Sequence, residues 1–120
     1  MAAWTHIAHS ALSLPAATVT WTGISGSYDH LYLKMSTRCD AASYQTNIFV
    51  NFNSDTGTNY SETQLYAGTA TPGSYHASGQ TKLQYGAYST GTSALADTFS
   101  STTMWIPTSS LKAHSTFTEF

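Results

Sequence analysis

Residues 30–38, with the sequence HLYLKMSTR, carry the clearest strand pattern of this 120-residue chain. Leu31, Leu33 and Met35 alternate with more polar residues, which is the period of a strand with one buried face. Similar alternation recurs along the chain, and turn signals interrupt it roughly every ten residues. No window shows helical periodicity of useful length. The sequence therefore predicts an all-β protein.

About eight short strands are predicted, with the stretch at residues 30–38 as the clearest. Residues 45–52 and 60–67 are expected to pair as a hairpin, because the connection between them is rich in Asn, Asp and Gly. Residues 69–79 are expected to form a loop, since they contain a Pro-Gly pair and many small side chains. The remaining strands are predicted at residues 4–9, 16–22, 82–88, 98–106 and 112–120.

The chain is expected to be one domain over residues 1–120, because it has no internal repeat and no linker. Short antiparallel strands in this number favour two packed sheets, that is, a β-sandwich of jelly-roll type.

The composition is unusual in its lack of charge. Charged residues make up 8% of the chain, and polarity comes instead from 20 threonines and 17 serines. The aromatic content of 13% argues against a disordered chain. A surface with few charges is poorly protected against self-association, so a homo-oligomer or larger assembly is expected. The net charge of -2 lacks the basic cluster of a nucleic-acid binder.

The single cysteine, Cys39, excludes an intrachain disulfide and a CxxC metal or redox pair. The first 20 residues lack a basic region and are interrupted by histidines and serines, so neither a signal peptide nor a membrane span is expected. We therefore expect the mature chain to begin at Met1 and to have no membrane contact.

Two segments carry a more specific pattern: YDHLYLKMSTR at residues 28–38 and FNSDTGTNYS at residues 52–61. Together they resemble a family of small β-sandwich structural proteins of tailed bacteriophages, including cyanophages. The opening WTHIA at residues 4–8 and the run MWIP at residues 104–107 are also similar to that family. The resemblance spans most of the chain and is most specific at the second segment.

The resemblance implies a non-enzymatic virion protein, made in the host cytoplasm and placed on the exterior of the particle. The first hypothesis is a capsid decoration or cement protein that stabilises the lattice of the head. The alternative is a tail-fibre or baseplate module that binds host surface polysaccharide. The implied partners are copies of the chain itself, for example in a trimer, and the major capsid protein or other virion proteins.

Family members continue with further strands after the Ile-Pro run, whereas this sequence stops at Phe120. Three explanations remain open at this point: a neighbouring subunit completes the sheet, the chain is a compact variant, or it is a partial chain. Completion by a neighbour would link copies through backbone hydrogen bonds.

Asp55 lies in a loop whose spacing approaches that of an EF-hand calcium loop. Thr56 stands where a calcium loop requires glycine, and Gly57 comes one residue late. We therefore favour a hairpin turn with a positive φ at Gly57, and no metal or cofactor is expected. The residues at motif positions 1, 3, 5 and 12 are Asn51, Asn53, Asp55 and Glu62. The predicted turn anchors are Asp55, Gly57 and Asn59.

Arg38 is the only arginine. It is expected to bind Asp40 or Asp55 as a bidentate pair that holds the loops at one end of the sandwich, with an intersubunit contact as the alternative. The five histidines are scattered, and no nucleophile elbow or convincing pair of acids is present. No catalytic residues are therefore predicted.

The second half of the chain is rich in aromatic residues that suit protein interfaces or sugar contacts. Tyr75 and His76 fall in the predicted loop, and they are candidates for subunit or glycan contacts. Alternation places Tyr85 on one face of its strand and Tyr88 on the other. Tyr88 is a further candidate contact residue.

Overall fold

A computed structural model describes residues 4–67 and 71–107, together with the backbone of residues 115–119. Within these residues all regular structure is β, so the predicted all-β class is confirmed. The described residues include no helix that is long and apolar enough to cross a membrane. The strands are β1 (His30–Thr37), β2 (Gln45–Val50), β3 (Tyr60–Tyr66), β4 (Gly73–Gln80), β5 (Leu83–Thr90), β6 (Ser100–Pro107) and β7 (Ser115–Glu119).

The strands form three small antiparallel sheets, in the orders β1-β6-β7, β2-β5 and β3-β4. Strand β1 alternates between exposed and half-buried residues along its length, as predicted, and Leu33 lies opposite the buried Met104. Strand β5 is the common neighbour, because it pairs with β2 and also lies against β3, β6 and β7. The backbone N–H of Cys39 donates to the carbonyl of Thr90 at 2.8 Å and links the end of β1 to the end of β5.

The core between these sheets is small. Among the described residues the buried apolar side chains are Tyr60, Leu83, Ala87 and Met104. Polar residues fill part of the same interior: the Ser100 hydroxyl donates to the Thr37 carbonyl at 3.0 Å.

The two strands predicted near the N-terminus are wrong. Residues 4–9 and 16–22 lie outside every strand, and all but Trp21 are exposed. Their alternation suits a strand, but within the described chain no neighbouring strand offers backbone partners to them. A strand needs such partners as well as a suitable pattern.

The predicted hairpin of residues 45–52 with 60–67 is also wrong. Both strands exist, but β2 pairs with β5 and β3 pairs with β4. Asn53 and Ser54 adopt left-handed backbone angles, with φ of 54° and 57°, between the two strands. The connection between β2 and β3 is longer than a two-residue hairpin turn. The strand after it, β3, belongs to a different sheet from β2.

The predicted loop at residues 69–79 is wrong from residue 73 onward, where β4 begins, and residues 69 and 70 lie outside the described part. The small residues of β4 form a strand because β3 offers backbone partners to them. Gly79, with φ of 64°, lies where the register between β3 and β4 shifts, which is a common place for a glycine bulge.

The strands predicted at residues 82–88 and 98–106 are confirmed as β5 and β6. Strand β7 covers residues 115–119 of the last predicted strand, whereas residues 112–114 and 120 lie outside the described residues.

Candidate functional site

The three predicted turn anchors meet at one carboxylate. Asp55 Oδ1 accepts the backbone N–H of Gly57 at 2.8 Å, and Asp55 Oδ2 accepts the side-chain amide of Asn59 at 3.0 Å. The hydrogen bond from Asn59 has the largest effect and that from Gly57 the next largest, and together they lower the pKa of Asp55 below its ordinary value of 3.8. This pattern is that of a turn closed by its own aspartate.

The expectation of a positive φ at Gly57 is wrong, because the left-handed residues in this loop are Asn53 and Ser54. Gly57 is required for space instead. A Cβ atom at this position would lie 2.8 Å from Asn59 Nδ2 and 3.1 Å from Asp55 Oδ1. Any larger residue therefore disturbs the hydrogen bonds of the Asp55 carboxylate.

Two further side chains tie this loop to the body of the protein. The Tyr60 hydroxyl donates to the Asp55 carbonyl at 3.1 Å and accepts the backbone N–H of Phe52 at 3.0 Å. The Asn51 amide donates to the carbonyls of Asp55 at 3.1 Å and Thr81 at 2.8 Å. These hydrogen bonds connect the loop to the start of β3 and to the backbone at Thr81. No group of three or more His, Cys, Asp or Glu residues in the described part is placed to hold a metal ion.

Arg38 binds neither Asp40 nor Asp55 among the described residues, so the predicted ion pair is wrong. Its Nη1 donates to the carbonyls of Leu95 at 3.0 Å and Thr98 at 2.8 Å. Both carbonyls belong to the connection between β5 and β6, in which the Thr98 hydroxyl also donates to the Leu95 carbonyl at 2.6 Å. Arg38 therefore holds that connection through backbone contacts.

Glu62 is a structural residue that the sequence analysis did not recognise. It lies on β3, and its Oε2 accepts the backbone N–H groups of Gln84 and Tyr85, each at 3.0 Å. These two residues belong to an irregularity in the β2-β5 ladder, where the register shifts between Ile48 and Val50. Glu62 thus accepts hydrogen bonds from the N–H groups of a bulge. No local sequence signal marks this role.

The candidate contact residues fall into two groups. Tyr75 packs edge-on against Tyr85, with 4.8 Å between ring centroids, and Tyr85 lies 6.2 Å from Tyr88. The expectation that Tyr85 and Tyr88 point to opposite faces is therefore wrong, because the bulge in β5 changes the alternation. We call Tyr75, Tyr85 and Tyr88 the tyrosine row. His76 lies outside the tyrosine row and shares a hydrogen bond with Thr63 at 3.1 Å.

A second aromatic group, not recognised from the sequence, covers the face of the β1-β6 sheet opposite Met104. We call it the outer aromatic cluster; it consists of Trp4, His30, Tyr32 and Trp105. The Trp105 ring centroid lies 5.1 Å from that of His30 and 6.4 Å from that of Tyr32. Trp4 contacts Tyr32 at 5.4 Å and Trp105 at 5.9 Å. Trp4, Tyr32 and Trp105 are nevertheless 71%, 49% and 38% exposed.

No protein-family model, characterised protein or solved structure matches this chain.

Proposed function

We propose that this protein is a non-enzymatic structural subunit of a tailed-phage virion, which decorates the exterior of the head and stabilises the capsid lattice. Its partners would be further copies of the chain and the major capsid protein. The proposal combines the phage-family resemblance with one structural observation: many large apolar side chains of the described residues are exposed in a single copy.

The accessible surface of the chain is 9061 Å². A compact monomer of this mass exposes about 6,300 Å². A charged fraction of 8% does little to keep exposed apolar surfaces of neighbouring molecules apart. Large apolar side chains that are at least half exposed are Trp4, Leu12, Leu14, Tyr44, Phe49, Leu65, Leu95 and Phe99. Surfaces of this kind support a protein that functions in contact with neighbours.

The three small sheets support the same proposal. In the described chain, β3 and β4 form a two-stranded sheet, and such a sheet is only marginally stable without further partners. We propose that neighbouring copies, for example in a trimer, complete these sheets into the antiparallel, jelly-roll-like sandwich that the sequence predicts. Many modest contacts on a symmetric lattice would then add up through multivalency.

The copy number of the chain per purified particle tests this function. Quantitative mass spectrometry against the major capsid protein should give hundreds of copies for a head decoration protein. A handful of copies would contradict head decoration and favour a tail location. Absence of the chain from purified particles would reject a virion role.

The tyrosine row favours a second candidate, a tail-fibre or baseplate module that binds host surface polysaccharide. Tyr75 is 36% exposed, and the Gln64 amide donates to the Tyr88 hydroxyl at 2.8 Å beside it. Aromatic rings next to amide groups suit sugar contacts. Under this alternative, Tyr75→Ala should abolish binding to a host-polysaccharide array, whereas the exposed Tyr44→Ala should retain it. An array with no binding to the unmodified protein would remove this candidate.

A further inference from the structure

The tip of the connection between β2 and β3 is a tight turn with an uncommon backbone. Asn53 and Ser54 both have positive φ, and the Asp55 N–H closes the turn on the Phe52 carbonyl at 2.9 Å. Positive φ at both central residues is the mark of a type I′ turn, which suits asparagine because asparagine tolerates the left-handed region. Serine pays a conformational cost in that region. The cost at Ser54 favours local opening of the turn.

Asn53 is the least restrained of the four asparagines in the chain. It is exposed, and its side-chain amide makes no hydrogen bond with any described residue. The Asn51 amide, in contrast, donates to the carbonyls of Asp55 and Thr81. The Asn59 amide donates to the Asp55 carboxylate. The hydrogen bonds of the loop therefore hold its base and leave the Asn53 amide in water.

The residues that follow the asparagines make the same distinction. Asn53 is followed by serine, whereas the other three are followed by isoleucine, phenylalanine and tyrosine. A bulky side chain hinders attack by its own backbone nitrogen on the preceding asparagine amide. The Ser54 nitrogen donates no hydrogen bond to a described residue. Asn47 lies within β2, where the ladder with β5 fixes its backbone. Within the described chain, Asn53 alone combines an exposed amide, a small following residue and an unengaged nitrogen.

We propose that Asn53 is a site of spontaneous deamidation, a reaction to which asparagine is prone. When the turn opens, the Ser54 backbone nitrogen loses its proton to water and attacks Cγ of Asn53, and the side-chain nitrogen leaves as ammonia. Water then cleaves the resulting cyclic imide at either carbonyl. Cleavage at Cγ gives aspartate, and cleavage at the backbone carbonyl gives isoaspartate, in which the chain runs through Cβ and Cγ. The net reaction consumes one water and releases one ammonia.

The two products differ in their effect on the turn. Aspartate tolerates positive φ as asparagine does, so it retains the turn. Isoaspartate adds a carbon atom to the backbone between Phe52 and Asp55, which displaces the Asp55 N–H from the Phe52 carbonyl. The Tyr60 hydroxyl bonds to the backbone of both residues, so its contacts are weakened as well. Both products add negative charge at the tip, and isoaspartate also loosens the loop. This inference goes beyond the proposed virion function and does not depend on it.

Peptide mapping of the folded chain during incubation in mildly alkaline water labelled with heavy oxygen tests the reaction. Each event in that water places a heavy oxygen in the product, which distinguishes it from earlier conversion. Asn53 should react at least about tenfold faster than Asn47, Asn51 or Asn59, because those sites require larger openings of the structure. Equal rates at all four sites, or no label at Asn53, would overturn the proposal.

The same time course on the chain unfolded in guanidinium separates the effect of the fold from that of the sequence. Unfolding should accelerate the reaction of Asn51 and Asn59 at least about tenfold, and that of Asn53 by less than about threefold, because the turn already opens readily. If Asn53 were accelerated as much as Asn51, the turn would be protective and the proposal would be wrong.

Asn53→Gly is the matched variant, because glycine keeps the positive φ and has no amide to lose. It should gain no label at this position and should keep its melting temperature during the incubation. In the original chain, the isoaspartate fraction, identified by electron-transfer fragmentation, should melt below both the unreacted chain and Asn53→Asp. An isoaspartate fraction that melts with Asn53→Asp would contradict the loosened loop. An equal fall in the melting temperature of Asn53→Gly would place the damage at another residue.

Discussion

The carboxylate of Glu62 on β3 accepts the backbone N–H of Tyr85 on β5 at 3.0 Å. The same oxygen, Oε2, accepts the N–H of Gln84, whereas Oε1 is buried and has no hydrogen-bond partner among the described residues. Two donors in a bulge are thereby satisfied by a side chain from another sheet. This contact joins the β3-β4 sheet to the core strand, and it accounts for an acidic residue on a half-buried strand position.

Glu62→Ala should lower the free energy of unfolding by about 2 kcal/mol, because two part-buried N–H groups lose their acceptor. Urea unfolding of the isolated chain measures this loss. Glu62→Gln should cost less, since its carbonyl oxygen still accepts both bonds, while its amide nitrogen takes the unpartnered position. Ser61→Ala, at the exposed neighbouring position, serves as the control and should change little. A fully stable Glu62→Ala variant would show that the contact is not needed.

Gly91 and Gly26 form a matched pair for the effect of an added methyl group. A Cβ at Gly91 would clash with the backbone oxygen of Ser43 and lie 2.8 Å from that of Ala41, whereas a Cβ at Gly26 meets nothing within 4 Å. Gly91→Ala should therefore cost about 2–3 kcal/mol of stability, because backbone atoms must move apart. Gly26→Ala should stay within about 0.5 kcal/mol of the original. Equal thermal denaturation of both variants would contradict this account of Gly91.

The Asp55 turn should make stability depend on pH in a defined direction. Hydrogen bonds from Asn59 and Gly57 lower the pKa of Asp55 in the folded state, so its stabilising contribution is complete above its ordinary value of 3.8. The contribution is lost as the pH falls through the lowered folded pKa. The difference in melting temperature between the original chain and Asp55→Asn should thus be constant near neutral pH and shrink in acid. A difference that widens in acid would refute the assignment.

Met104 is fully buried, whereas Leu65 is 84% exposed. Met104→Ala should cost about 2–5 kcal/mol, because it leaves a cavity in the small core. Leu65→Ala should change the stability of the isolated chain by less than about 0.5 kcal/mol. Urea unfolding of both variants at low protein concentration makes the comparison. If Met104→Ala proved as stable as Leu65→Ala, the core would have to lie elsewhere.

The parts of the fold that were predictable are those that local sequence controls. Strand β1 follows from the alternation of Leu31, Leu33 and Met35, which is visible without any partner. The Asp55 turn brings together residues within four positions of each other, so its anchors could be chosen from the sequence. The ion pair predicted for Arg38 could not be judged in this way, because the carbonyls that Arg38 binds, those of Leu95 and Thr98, lie far along the chain.

The main error was the predicted pairing of the strands, because pairing depends on the register between distant segments. The alternation of apolar and polar residues allows β2 to pair with either β3 or β5. The long connection that contains Asn53 and Ser54 favours pairing with β5. Glu62 illustrates the same point: its role exists only because a bulge in β5 exposes two N–H groups to it. The outer aromatic cluster likewise joins Trp4, Tyr32 and Trp105 from three distant parts of the chain.

The β class, the positions of β1, β5 and β6, and the turn anchors around Asp55 follow from the local sequence, because alternation and short-range hydrogen bonds act within a few residues. The pairing of the strands, the carboxylate that binds the bulge and the contacts between aromatic rings follow from the folded chain as a whole. Those outcomes depend on backbone groups that must find partners far along the chain, and local preference does not specify them.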